Sequence, residues 1–208
     1  WGSARHQGHV GRVGDVRRGV GLGEVDAPVS KRVQVRRLHQ IVAGAAHHPG
    51  IVLVGHSAGA HLVALVGTDP SYLRKAGLSY RDISGVVPLD GAAYDVPAQM
   101  DQNARLMGDT YKQAFGTDLE RQRALSPTAH ATAPNAPSFL ILHVQRRDGT
   151  AQSQGLARAL EEAGTPANVQ GFAGRGLRGH AEINRRLGES DYPATAVVDR
   201  YLAQRFGG

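Results

Sequence analysis

Ile51-Val52-Leu53-Val54-Gly55-His56-Ser57-Ala58-Gly59-Ala60 is the stretch on which the reading of this chain turns. Four apolar, mostly β-branched residues run into Gly55-His56-Ser57-Ala58-Gly59, and a helix-compatible apolar segment, 60–66, leaves it. A G-x-S-x-G pentapeptide alone also fits a glycine-rich loop; a strand before it and a helix after it make it a nucleophile elbow. The serine of an elbow sits on a tight, strained turn, so that its hydroxyl stands clear of the sheet. Side chains at Gly55 and Gly59 would collide with the neighbouring strand and helix. The same turn aims the first backbone N–H groups of the helix outward, which makes the Ala58 N–H a candidate oxyanion donor.

Outward from the elbow, strand and helix signals alternate. Residues 51–55 form the first strand, followed by the elbow helix to about residue 68, with Pro70 and Gly77 punctuating the next connection. Residues 83–89 and 138–144 (SFLILHV) read as further strands, the latter continuously apolar as buried parallel strands are. An amphipathic helix follows over 151–163, with Leu156 and Leu160 spaced by one turn and a stop at Gly164. A fourth strand, 167–172, precedes closing helices at 182–187 and 194–206. The alternation predicts an α/β fold with a mostly parallel sheet and helices on both faces.

Two regions break the rhythm. Residues 90–137 form a polar insertion that carries Met100, Leu106, Met107, Tyr111 and Phe115, read either as a packed surface helix or as a cap over the site. Residues 1–50 scatter Gly and Arg without strand period, with a helix expected over 31–46. The expected organisation is an atypical basic segment, 1–50, and a catalytic domain, 51–208, with the cap-like insertion at 90–137. The chain opens on Trp1, so it reads as a fragment or a processed product, with the early strands of the sheet incomplete. The composition of 1–50 is also what an out-of-frame reading of GC-rich coding sequence would give.

Composition bounds the function. The 208 residues suit one domain, and 41% hydrophobic content supplies a core. Cysteine is absent, which excludes disulfides, a thiol nucleophile and Cys-based metal sites. No run of about 18 apolar residues occurs, so no membrane span is expected, and a cytoplasmic location is the default. The net charge of +6 is unevenly placed: residues 1–50 hold eight Lys/Arg against three Asp/Glu, and the rest hold 16 against 15. The catalytic-looking body is nearly neutral and aromatics are sparse beside the basic residues, so no nucleic-acid partner is expected.

A serine hydroxyl needs a base to take its proton and a carboxylate to orient that base, and elbow enzymes order them serine, acid, histidine. Asp148 begins the polar turn beyond the FLILHV strand and is the preferred acid. Asp90, at the end of VVPLD, is the alternative, since some elbow hydrolases place the acid there. His180 follows in a glycine-rich loop (Gly174 to Gly179), where an imidazole could reach both partners. His6, His9, His39, His47 and His48 precede the serine and fall outside the order. His56 lies inside the elbow, its turn pointing it away from the hydroxyl. His143 on a core strand reads as a satisfied buried histidine, and His130 is a weaker candidate base. No carboxylate or cysteine completes a histidine pair, so no metal is expected.

Together IVLVGHSAGAHLVAL, ISGVVPLDGAAYD, RALSPTAHA, APSFLILHVQRRDGTAQSQGLARALEEAG and GHAEINRRLG resemble the α/β-hydrolases of the serine carboxylesterase and lipase group, close to the arylformamidase (kynurenine formamidase-like) branch. The resemblance implies a sheet covered on both faces, no cofactor, and hydrolysis of a small-molecule ester or amide through an acyl-enzyme. It implies Ser57 as nucleophile, Asp148 as acid, His180 as base and Ala58 as an oxyanion donor. One feature departs from it. The upstream H-G-G type motif that supplies further oxyanion donors is missing, and His6-Gln7-Gly8-His9 does not replace it. The leading reading is hydrolysis of short acyl esters. Aryl formamide hydrolysis is a second reading, and a truncated or frame-disrupted remnant without activity is a third.

Overall fold

A computed structural model describes residues 50–103 and 108–207. The expectations for residues 1–49, and for Leu106 and Met107, lie outside the described residues. The elements run β1 (Ile51–His56), α1 (Ala58–Thr68), α2 (Pro70–Lys75), a 3₁₀ turn (Tyr80–Asp82), β2 (Ile83–Leu89), α3 (Val96–Asn103), α4 (Gly108–Phe115), α5 (Leu119–Ala124), α6 (Pro127–His130), β3 (Phe139–Gln145), α7 (Arg147–Glu162), β4 (Ala167–Arg175), α8 (Gly176–Arg185) and α9 (Pro193–Phe206).

The four strands form one parallel sheet in the order β1-β2-β3-β4. Val54 pairs with Val87, Leu89 with Leu142, and Leu140 with Asn168. Each strand thus returns beside the last after a helical crossover, as alternation in the sequence requires. The pleat then sorts side chains by parity. Val86, Phe139 and Ile141 face one layer, packed with Ala64 of α1 and Leu156 and Leu160 of α7. Val87, Leu89, Leu140, Leu142 and Val144 face the other, against Ile183 of α8 and Val198 and Tyr201 of α9. The sheet is therefore covered on both faces, and β2 and β3 read as unbroken apolar runs because both their faces are buried. Burying each such large side chain is worth about 1.5–3 kcal/mol. At the rim, Ile51 and Val54 of β1 stay 44% and 42% exposed.

The helices of the second half start earlier than their sequence suggests. The helix expected over 151–163 begins at Arg147, directly after β3, so Asp148 lies in its first turn and not on a loop. The glycine-rich stretch expected as a loop is the end of β4 and the start of α8, so His180 is helical. The insertion contains short helices, α3 to α6, and follows β2 through the residues after Leu89.

Candidate active site

Ser57 occupies the bend between β1 and α1 with φ 59° and ψ −120°, a left-handed conformation that a residue with a Cβ adopts only when its surroundings enforce it. The surroundings here are specific. The Ser57 N–H donates to the Leu89 carbonyl (3.1 Å), which pins the bend to the end of β2. The Ser57 carbonyl accepts from the Ala60 and His61 N–H groups (3.0 and 3.3 Å), which starts α1. A Cβ at Gly55 would sit on the Gly59 carbonyl, so glycine is required for strand and helix to approach this closely. Ala58 is the first residue of α1 and is exposed. Its N–H belongs to the helix's opening turn, whose donors have no intrahelical acceptor and carry the positive end of the dipole.

His180 reaches this bend from α8. Its Nε2 lies 3.0 Å from Ser57 Oγ, and its Nδ1 lies 2.6 Å from Asp90 Oδ2. An ionised carboxylate only accepts, so Nδ1 carries the ring proton and Nε2 presents its lone pair to the serine hydroxyl. Close packing sets the imidazole there: a Cβ on Gly179 would meet the Gly174 carbonyl carbon at 2.6 Å, so the glycine lets α8 fold back against the end of β4.

Asp90 follows the last residue of β2 with φ 45°, its side chain fully buried. Its N–H donates to the Leu142 carbonyl (2.6 Å) and its Oδ1 accepts the Val144 N–H (3.0 Å), so β3 grips both ends of the residue. Arg146 Nε lies 3.1 Å from Oδ2 as an ion pair whose N–H is not aligned for a hydrogen bond. Burial pushes the Asp90 carboxyl up, but the hydrogen bonds from His180 and Val144 and the Arg146 charge outweigh it, and the group sits below its ordinary value.

The carboxylate on His180 is thus Asp90 and not Asp148, the preferred candidate from sequence. Asp148 turns toward the insertion, where its Oδ2 faces Gln99 Nε2 at 3.5 Å. The reason is local. The chain leaves β3 through a tight turn closed by Arg146 N–H to the Val144 carbonyl (2.8 Å), and α7 begins one residue later. What the end of β3 directs at Asp90 is then the Val144 N–H and the Arg146 guanidinium.

The remaining histidines divide as follows. His143 is buried, with Nδ1 at 3.0 Å from the Val144 carbonyl and 3.2 Å from Thr150 Oγ1, a satisfied core histidine. His130 Nε2 donates to the Ala124 carbonyl (2.8 Å) and stands in no contact with Ser57 among the described residues. His61 donates through Nδ1 to the Ala93 carbonyl (2.9 Å) and lies against Phe115 of the insertion; burial pushes its imidazole below the ordinary value despite the carbonyls that raise it. His56, set aside from sequence, packs on His180: the ring centroids are 4.4 Å apart, and His56 Nε2 lies 2.7 Å from the His180 carbonyl. Arg146 also escaped the sequence reading. Neither carried a motif signal, because each acts through a partner distant in the chain.

Two cavities, of about 480 and 250 Å³, lie elsewhere, one beside β3, β4 and α9 and one between the end of β4 and α8. Neither is lined by Ser57, Asp90 or His180. Among the described residues no helix is long and apolar enough to cross a membrane, and no cluster of three metal-ligating side chains occurs.

No protein-family model matches the chain, and no curated protein matches it. Solved structures do. Esterase B from Lactobacillus Rhamnosis (HN001) is 18% identical, with a TM-score of 0.54 over 76% of this chain and 52% of its own. The same esterase with a C4-C4 SN3 tributyrin phosphonate gives 17% identity and a TM-score of 0.52 over the same shares of the two chains. The uncomplexed acylaminoacyl peptidase of Pyrococcus horikoshii is 17% identical, with a TM-score of 0.47 over 68% of this chain and 23% of its own. The chain thus spans about half the length of the esterase it matches. At this identity the likeness to the esterase speaks for architecture: the parallel sheet, its two helical layers and the strand-elbow-helix bend are those of the α/β-hydrolase fold.

Proposed function

We propose that this chain is a serine hydrolase that cleaves short-chain carboxylic esters through an acyl-enzyme, with Ser57 as nucleophile, His180 as base and Asp90 as the orienting acid. The observation that carries the reading is the unbroken relay from Ser57 Oγ to His180 Nε2 (3.0 Å) and from His180 Nδ1 to Asp90 Oδ2 (2.6 Å), assembled from three distant stretches of chain. His180 Nε2 takes the hydroxyl proton as Oγ attacks the ester carbonyl, and the oxyanion forms against the Ala58 N–H. Asp90 holds the imidazole in the required tautomer and stabilises its cation. The alkoxide leaves with the proton from Nε2. Water then enters and attacks the acyl carbon while giving a proton to the same nitrogen; the bond to Ser57 Oγ breaks, Oγ takes that proton back, and the acid is released.

The test is fluorophosphonate labelling together with turnover of p-nitrophenyl acetate and butyrate. Wild type should label once, at Ser57, and hydrolyse both esters. Ser57→Ala should lose the label and about 10⁶-fold of any turnover, the scale seen when such nucleophiles are removed. Equal labelling of the two chains would end this reading.

A further inference from the structure

The helix that carries the proposed base packs on β4 through the Gly179 backbone and buries one large side chain, Ile183. The residue that caps α8, Arg175, makes no side-chain hydrogen bond to the first turn, and Leu177 in that turn is 81% exposed. Gly174 and Gly176 before and at its start have φ 130° and 56°, so the local backbone does not by itself choose the entry angle. The buried residues of α8 are Gly179, which has no side chain, and Ile183, nearly one turn beyond His180. At this point the helix meets the last residue of β1. His56 Nε2 lies 2.7 Å from the main-chain carbonyl of His180, and the two rings lie 4.4 Å apart at 34°. A carbonyl only accepts, so His56 Nε2 carries the proton and donates it. The carbonyl has a second lone pair, so this bond coexists with the helix's own.

We infer that His56 is a positioning residue: its Nε2–H clamps the His180 carbonyl while its ring backs the imidazole, so the strand end that carries the nucleophile also fixes the base. His56 and Ser57 are adjacent on one rigid bend, so the clamp couples the two reacting groups directly and does not depend on the path of the chain between them. Asp90 holds the imidazole by its outer nitrogen, and His56 holds the main chain from which that imidazole hangs. Two independent restraints then leave Nε2 little freedom other than toward Ser57. Misplacement of a catalytic group by about 1 Å can cost about 100-fold in rate, so the clamp acts on the chemical step and leaves ester binding alone.

This inference rests on the Ser57–His180–Asp90 reading, and the experiment separates the two. Turnover of p-nitrophenyl butyrate is measured per phosphonate-labelled site for wild type, His56→Phe and His56→Gln, and per chain for Ser57→Ala, with folding followed by circular dichroism. Phe keeps a ring and loses the donor; the Gln amide places an N–H near the position of Nε2. The expected result is a kcat lower by about 10–100-fold in His56→Phe with KM within about twofold, and recovery to within about fivefold of wild type in His56→Gln. A His56→Phe chain that turns over like wild type while Ser57→Ala is dead overturns the clamp and leaves the hydrolase reading standing. Equal impairment of Phe and Gln also overturns it. If Ser57→Ala retains activity, both fall. Should His56→Phe fail to fold, His56→Gln decides: near-wild-type kcat supports the clamp, and deep loss in a folded chain overturns it.

Discussion

The ends of β2 and β3 lie side by side in the sheet, each followed by an aspartate, and only one of the two reaches His180. After β2 the chain stays irregular: Asp90 takes a left-handed backbone, and its carboxylate turns inward under the imidazole. After β3 the chain goes straight into α7, and Asp148 is carried toward Gln99 on the insertion. What β3 contributes is a backbone donor from Val144 and a guanidinium from Arg146, both directed at the neighbouring strand's carboxylate. Chemistry at the end of a parallel strand is thus decided by the one or two residues before the next helix. Sequence order alone offers both aspartates on equal terms.

The sharpest way to break the comparison is Asp90→Asn. Loss of the orienting carboxylate leaves the wrong imidazole tautomer, and kcat for p-nitrophenyl butyrate should fall by about 10⁴-fold. The same variant tests the electrostatics. The Asp90 carboxyl is held below its ordinary value in the fold. A depressed carboxyl contributes stability that is present above its unfolded value, about 3.9, and is lost as pH falls through the lower folded value. The melting-temperature gap between wild type and Asp90→Asn should therefore be fullest above about pH 5 and close as pH drops below about 3.9. A gap that widens on acidification would contradict the charge assignment.

Next in size is Gly179→Ala, which probes how β4 presents the base. The added Cβ would meet the Gly174 carbonyl carbon at 2.6 Å, a backbone atom that cannot swing aside. The helix must shift, and kcat should fall by about 100-fold while the far-ultraviolet spectrum stays that of a folded α/β protein. This glycine also shows where sequence was readable. Apolar runs bounded by turn residues marked β2 at its observed limits and placed β1 and β3 to within a residue or two, since both faces of the central strands are buried. The elbow was legible because Gly55 is a steric necessity between strand and helix. The glycines before His180 were not, because spacing cannot distinguish a glycine that loosens a loop from one that lets a helix approach a strand. The Arg-Arg-Asp-Gly-Thr start of α7 misled similarly: it reads as a polar turn, and α7 has no side-chain cap at Arg146 to announce its start.

Arg146 sharpens the contrast further. Its guanidinium lies against Asp90 and, through Nη2, the carbonyls of Asp90 and Gly91 at 3.4 and 3.5 Å. Removing that charge in Arg146→Met takes away one of the influences that hold Asp90 ionised, so the carboxyl moves up toward its ordinary value. Turnover should fall by about tenfold or less at pH 7, and the loss should deepen as the pH approaches the carboxylate range, by the scale of a partly buried charge contact. A uniform loss at every pH would make Arg146 a packing residue only.

The smallest effect belongs to Asp148, the acid that the polar turn after FLILHV favoured. Among the described residues Asp148 accepts one long hydrogen bond, from Gln99 on the insertion, and makes none to the imidazole. It also lies in the first turn of α7, where a carboxylate interacts favourably with the helix dipole by about 0.3–1 kcal/mol. Asp148→Asn should then lower stability by no more than that and leave kcat within about twofold of wild type, because the groups that hold His180, namely Asp90, His56 and the end of β4, do not include Asp148. Measured beside Asp90→Asn on the same ester, it reads the difference between the two strand ends directly. A loss comparable to that of Asp90→Asn would mean that the chain exchanges acids during turnover, with Asp148 leaving Gln99 to reach His180. The firm hold on Asp90, bonded through both carboxylate oxygens and its own N–H, argues against that exchange.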